Sequence, residues 1–270
     1  MDPRMGPVGI PGLPEREMPG KLIVLEGTDG VGRSTQQRLL RNWLESSGLA
    51  VYDTGLSRGR LAGNHIQKAK GGHTMGRRTQ ALYYATDFAD RLEMELIPAM
   101  RAGYVVLTDR YVYSLMARAI VRGMEPAWMA RLYQFALTPD IVLYLNISTD
   151  KLVPRVLASG GFEYWESGMD YLRENTLYDS FVKHQNALLE QFERMTEEHD
   201  FTVIDATRSI RDVFDDCEEE VGEIVAEMAE VQKMSDFVAP VLPEPPIRQD
   251  ERRSEADSLR DLLSSLLEDS

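Results

Sequence analysis

The chain is poor in the residues that build several common kinds of site. It has one cysteine, Cys217, among 270 residues. No intrachain disulfide framework is possible, which agrees with a reducing compartment. No apolar run approaches the roughly 18 residues of a membrane span. The first residues carry no apolar signal core and no cleavage pattern, so a cytoplasmic setting is expected. The four histidines, His65, His73, His184 and His199, are scattered. Neither metal-ligand spacing nor a Ser-His-Asp set stands out. Cations are outnumbered, 30 Lys+Arg against 44 Asp+Glu, for a formal net charge of -14. Such a chain is ill suited to general binding of nucleic acid or anionic membranes. Its anionic substrates must be met by a local cluster of cations. Hydrophobic residues make up 43% of the chain, enough for a sizeable core.

What is present centres on Lys21 to Thr35, K-L-I-V-L-E-G-T-D-G-V-G-R-S-T. Lys21 to Leu25 has the apolar character of a short buried strand, and a helical pattern begins at Ser34. Between them Gly27, four residues, Gly32, Arg33 and Ser34 form a phosphate-binding loop, with Arg33 where the motif has lysine. Glycines at 27, 30 and 32 let the main chain approach an anion closely. The loop N–H groups and the positive end of the following helix then attract phosphate. Ser34 offers a hydroxyl to a magnesium ion that bridges the outer phosphates, and the cation at 33 reaches the same phosphates.

Strand-length apolar runs recur at Ala50–Tyr52, Tyr104–Leu107, Asp140–Leu145 and Phe201–Ile204, separated by helical patterns. One long helix is expected from Arg78 to Ala102, with Leu82, Ala85, Ala89, Leu92 and Leu96 inward. Two helices are expected between Val112 and Leu137, another from Asp150 to Ala158, a long one over Tyr171–His199, and the last from Ile210 to about Lys233. This alternation predicts an α/β fold, a three-layer sandwich with a parallel five-stranded sheet and helices on both faces. Ligands in such folds bind past the carboxyl ends of the strands. Asp109-Arg110-Tyr111 and Ser114 lie at such an end. There Asp109 is placed to serve the magnesium, and Arg110 to bind a phosphate of the acceptor or the group in transfer. The expected organisation is a leader over 1–20, a kinase domain over 21–233 with a lid at about 159–168, a Pro-rich linker over 234–253, and a short amphipathic helix over 254–270. Leu259, Leu262, Leu263, Leu266 and Leu267 share one face of that last helix, which can dock on its own chain, on a dimer mate or on another protein. Lys68, Lys70, Arg77 and Arg78 form a small basic patch.

With E-G-T-D-G-V-G-R-S-T, L-Y-Y-A-T-D-F-A-D-R ahead of I-P-A, D-R-Y-V-Y-S, P-D-I-V-L-Y-L-N-I and I-D-A-T-R-S-I, the chain resembles the thymidylate kinase family of nucleoside monophosphate kinases. The resemblance runs from about Lys21 to Ala229. It implies transfer of the γ-phosphoryl group of MgATP to dTMP, giving ADP and dTDP, with ATP and Mg²⁺ as cofactors and a homodimer as the assembly. It further implies that Gly27, Thr28, Asp29, Gly30, Val31, Gly32, Arg33, Ser34 and Thr35 hold the ATP phosphates. Asp29 falls where the family has an acid facing the acceptor sugar. Tyr84 falls at the aromatic position stacking on thymine. Tyr111 and Ser114 line the acceptor pocket, and Ala206 to Arg208 falls at the turn beside adenine. Metal binding falls to Ser34 and Asp109, and catalysis to Arg33, Asp109 and Arg110.

Four departures stand out. Arg33 replaces lysine, and its planar fork is not equivalent to a point charge. Phe88 falls where the family has a base-contacting arginine, with Arg91 one helical turn later. Gly55-Leu56-Ser57-Arg58-Gly59 replaces the family's loop after the second strand, leaving Arg58 as the candidate for the acceptor phosphate. The lid, Ser159 to Gly168, has Phe162, Tyr164 and Trp165 but no arginine, although Arg155 and Arg173 flank it. Two alternatives therefore stand beside the dTMP kinase reading: a kinase for another nucleoside monophosphate, and a nucleotide-binding regulator with little turnover.

Overall fold

The computed structural model describes residues 18–56 and 75–234. The expectations for the leader, Arg58, Lys68 and Lys70, the linker and the C-terminal helix lie outside the described residues.

Five parallel strands form one sheet, β1 (Lys21–Gly27), β2 (Val51–Gly55), β3 (Val105–Asp109), β4 (Ile141–Asn146) and β5 (Thr202–Asp205), in the order β2-β3-β1-β4-β5. The register sets Leu25 beside Asp109 and Gly27 beside Leu145. The central strand thus ends between its two neighbours, with the turn that follows it at the carboxyl edge. Successive residues of a strand face opposite ways, and both faces of β1 are apolar. Ile23 and Leu25 join Val105, Leu107, Leu143 and Leu145 in a core with Leu40 and Leu44 of α1 (Arg33–Ser46) and Val213, Cys217 and Val221 of the last helix. On the other face Tyr144 stacks on Phe192, ring centroids 5.2 Å apart. Truncating one of these buried leucines to alanine costs roughly 2–5 kcal/mol.

Local chemistry sets several helix ends. After α2 (Arg77–Arg91), α3 (Ile97–Arg101) and α4 (Val112–Val121) comes α5 (Pro126–Leu132). The Glu125 side chain accepts from the Ala127 and Trp128 N–H groups, and Pro126 opens the helix without wasting a donor. Helix α6 (Thr149–Ala158) precedes the stretch expected to form a lid. Helix α7 (Leu177–His199) starts only where the Thr176 hydroxyl accepts from Asp179 N at 3.0 Å, so the expected helical stretch from Tyr171 begins six residues later. Helix α8 is Ile210–Met234.

The expected single helix over Arg78–Ala102 is interrupted by a π-helical turn, Leu92–Leu96. Each π turn takes up one extra residue. The apolar stripe is therefore not continuous: Leu92 and Leu96 are fully buried, whereas Leu82 is 46% exposed.

Candidate active site

The turn after β1 needs its glycines. Gly27, Gly30 and Gly32 have φ of 144°, 80° and 112°. A Cβ on Gly27 would lie 2.7 Å from the Leu145 carbonyl oxygen, and one on Gly30 would lie 2.6 Å from Val156 Cγ2. The main chain is thus wedged between β4 and α6 while α1 begins at Arg33. That opens a helix N-terminus toward the cleft, where unpaired N–H groups favour anions.

Arg33 lies back along this turn. It is buried, with Nη1 donating to the Gly27 carbonyl at 2.6 Å and to the Thr28 carbonyl. Its Nε donates to Asp109 Oδ1 at 2.6 Å, and Nη2 stands 4.0 Å from Asp29. Ser34 Oγ donates to the other oxygen of Asp109 at 3.1 Å. Two hard oxygen donors, one from α1 and one from the end of β3, therefore adjoin beside the anion cradle. Magnesium takes few protein ligands and fills its shell with phosphate oxygens and water. The pair fits that ion, and no cluster of three or more His, Cys, Asp or Glu that could hold a metal occurs among the described residues.

A second charged group sits beside the first. Asp29 accepts from both Arg110 and Arg118. Burial, then the neighbouring Arg118 charge, lowers the Arg110 pKa to about 9, so it remains cationic at neutral pH. Two guanidiniums on one carboxylate leave a net positive charge at the cleft, an arrangement suited to phosphate. Arg110 also has a left-handed backbone, φ 72°, unusual for a side chain of its size. Its N–H donates to the Leu25 carbonyl at 2.9 Å, and its carbonyl accepts from Thr108 Oγ1 at 2.8 Å, which holds it there.

The charged groups lie between two hollows. One is bounded by Gly30, Gly32, Thr35, Gln36, Arg155 and Arg208. Arg155 Nη1 donates to the Val31 carbonyl at 3.2 Å, so a cation flanking the arginine-free lid does reach the phosphate-binding turn. Arg208 is paired with Asp216. Around the other hollow stand Gln80, Tyr84, Leu115, Arg118, Tyr133 and Trp165. Trp165 of the expected lid and Asp170 just past it are held by Arg122, which donates to the Trp165 carbonyl at 2.9 Å and to both Asp170 oxygens at 2.8 and 3.0 Å. Beneath them the Tyr171 hydroxyl meets His184 Nδ1 at 2.9 Å, and burial lowers the His184 pKa to about 2, so the imidazole is neutral.

Of the residues the sequence singled out, the turn residues, Asp109, Arg110, Tyr84 and Arg208 border these features. Three others lie in the interior. Phe88 is packed edge-on to Tyr111 at 5.0 Å and to Tyr133 at 6.0 Å. Tyr111 is fully buried, with its hydroxyl donating to the Leu137 carbonyl at 3.0 Å. Ser114 is buried against Glu26. None of the three is part of the wall around Tyr84. Arg91, one turn beyond Phe88, donates to the Gly55 carbonyl.

The sequence reading missed Glu26, Arg118 and Tyr133. Fully buried at the end of β1, Glu26 accepts from the Tyr111 and Ser114 N–H groups at 2.9 and 3.1 Å, capping α4 from another strand. Burial pushes its carboxyl pKa up, against the hydrogen bonds from Ser114 and Tyr111 and the charge of Arg33. A lone acid inside an apolar strand was the available signal. Arg118 stands four residues after Ser114, on the same helical face. Tyr133 carries no signal that separates it from an ordinary core aromatic.

Comparison with known proteins bears on the same residues. The family model described as thymidylate kinase matches residues 25–217. A protein named probable thymidylate kinase 2 from Saccharolobus solfataricus is 35% identical over 210 residues, covering 77% of this chain and 98% of that one. Probable thymidylate kinase from Pyrococcus abyssi is 29% identical over 205 residues, covering 74% and 94%. Thymidylate kinase from Desulfotalea psychrophila is 32% identical over 176 residues, covering 63% and 87%. With a matching model across most of its length and a glycine turn that joins Asp109 through Ser34 and Arg33, the chain belongs to the thymidylate kinase family.

Proposed function

We propose that the protein transfers the γ-phosphoryl group of MgATP to the 5′-phosphate of dTMP, releasing ADP and dTDP. The observation that carries this is the joining of two phosphate-seeking groups, the glycine turn with Ser34–Asp109 and the Arg110–Arg118 pair on Asp29, between two hollows. An oxygen of the acceptor phosphate attacks the γ phosphorus, and the bond from that phosphorus to the β–γ bridging oxygen breaks. Such transfer asks a protein for alignment and charge neutralisation more than covalent chemistry. Gly27 to Thr35 would cradle the donor phosphates. Arg110 and Arg118 would hold the acceptor phosphate and offset the repulsion between the two anions. Arg33 and Arg155 would supply positive charge toward the group in transfer, work that an arginine-free lid leaves open. Tyr84 would stack on the acceptor base, and Arg208 would stand beside the adenine. Magnesium held by Ser34 and Asp109 would neutralise charge on the outer donor phosphates.

A second reading is a kinase for another nucleoside monophosphate, favoured by Phe88 being buried at the position where the family has a base-contacting arginine. A coupled assay for ADP release with dTMP, dUMP and other monophosphates tests both. Turnover with dTMP supports the first, and turnover with a different monophosphate alone supports the second. MgATP binding without acceptor-dependent turnover favours the regulator and ends both kinase readings.

A homodimer is supported by the exposed Leu82 and Tyr83 of α2 and Met94 of the π turn, and gel filtration with light scattering tests it. A cytoplasmic setting is supported by the buried, unpaired Cys217. No helix among the described residues is long and apolar enough to cross a membrane.

A further inference from the structure

Phe88 is flanked by two buried tyrosines whose hydroxyls differ. Tyr111 donates to the Leu137 carbonyl at 3.0 Å. Tyr133, 2% exposed, has no hydrogen-bond partner for its hydroxyl among the described residues. A buried hydroxyl left unpaired costs about 1–3 kcal/mol, and buried polar atoms nearly always find a partner. Tyr133 is a wall residue of the hollow that also contains Tyr84. Around it Ala81, Leu115, Ala119 and Met124 supply apolar surface, and Gln80 and three arginines supply polar groups. Its ring is fixed by packing against Phe88 and Phe135, centroids 6.0 and 6.4 Å away. A rigid wall of mixed apolar and basic side chains that bears an unsatisfied hydroxyl describes a site that reads a flat, polar-edged ligand.

We propose that Tyr133 is a specificity-determining residue whose hydroxyl donates a hydrogen bond to an edge oxygen of the pyrimidine base of the acceptor nucleotide. The assignment rests on the phosphotransferase reading above and deepens it. It places a polar contact with the base at Tyr133, the residue that follows α5, where Phe88 cannot supply one. Burial pushes the phenol pKa up, so the hydroxyl keeps its proton at any working pH. The ring would position the base edge, and the hydroxyl would be satisfied only when the hollow is filled.

Tyr133→Phe removes one oxygen and keeps the packing, and it separates a ligand contact from a structural one. With dTMP as probe and the full-length chain, the variant is expected to raise the KM for dTMP about fivefold to tenfold. The kcat and the KM for ATP should stay within about twofold. The thermal midpoint of the ligand-free protein should be unchanged or higher, because the fold makes no use of the hydroxyl. A variant with the parental KM for dTMP overturns the assignment. So does one whose ligand-free midpoint falls by several degrees, since the hydroxyl then serves the fold. A parent with no dTMP-dependent ADP release overturns the phosphotransferase reading and this inference together. A parent that turns over dTMP with a variant of equal KM overturns this inference alone.

Discussion

Arg33 Nε donates to Asp109 Oδ1 at 2.6 Å, a charge-assisted hydrogen bond that ties the start of α1 to the end of β3. The same guanidinium takes up two carbonyls of the glycine turn. Arginine can do both at once because its donors form a planar fork, whereas a lysine ammonium is a single point. A triphosphate bound at the turn would compete with these carbonyls for the fork.

Arg33→Ala should therefore lower kcat by at least about a hundredfold, since charge aimed at the transferring group is worth that much or more. Arg33→Lys should fall between the parent and the Ala variant. Steady-state ADP release at saturating dTMP measures both. An Ala variant as fast as the parent would remove Arg33 from catalysis.

Asp29 neutralises Arg110 and Arg118 together. Asp29→Asn leaves two like charges side by side in a mostly buried place, and the expected loss of stability is roughly 3 kcal/mol or more. A phosphate-bearing ligand should restore part of it. Thermal unfolding with and without dTMP checks this: the rise in midpoint caused by dTMP should be larger in the variant than in the parent.

Glu26 gives a pH prediction with a definite sign. Its folded pKa lies above the ordinary carboxylate value of 4.5. Below about that pH both states are protonated, and the buried carboxyl costs nothing in charge. As pH rises through the folded value, the unfolded chain has already released its proton and the folded one must ionise in place, so stability is lost. Glu26→Gln keeps an acceptor for the two N–H groups and does not titrate. The stability of the parent relative to this variant should fall as the pH rises above the ordinary carboxylate range, read by denaturant unfolding at a series of pH values. A constant offset would contradict it.

Gly27 and Gly32 both have positive φ, but only Gly27 is crowded by backbone. Gly32→Ala meets nothing within 4 Å, so it should cost only the strain of its conformation, about 1 kcal/mol. Gly27→Ala must in addition push the Leu145 carbonyl aside, and it should be the more destabilising of the two. Equal midpoints in urea would show that β4 yields freely.

The layered fold was legible because each strand is a short apolar run and each helix carries its own stripe. The glycine turn, Ser34 and Asp109 were legible because phosphate chemistry demands particular residue types at fixed spacing. The acceptor side was harder. Tyr111 and Ser114 stand next to Asp109 in sequence, yet the start of α4 turns them inward, to Leu137 and to Glu26. Arg118 reaches the cleft because it is one helical turn further on. Pairings such as Arg118 with Asp29 join positions far apart in the chain, and periodicity carries no record of them. The burial of Leu82 was misjudged for a related reason: one wide turn changed the phase of the helix beyond it.

That wide turn, Leu92–Leu96, works like a slipped tooth in a screw thread. Upstream of it α2 places Tyr84 in the wall of a hollow, and downstream Ile97 and Met100 are buried. Losing a single residue at the slip would let the thread run true, and because the wide turn had absorbed that residue, Tyr84 and the sheet-bound segment would both keep their places. A lineage could thus shorten this stretch by one without moving the aromatic wall.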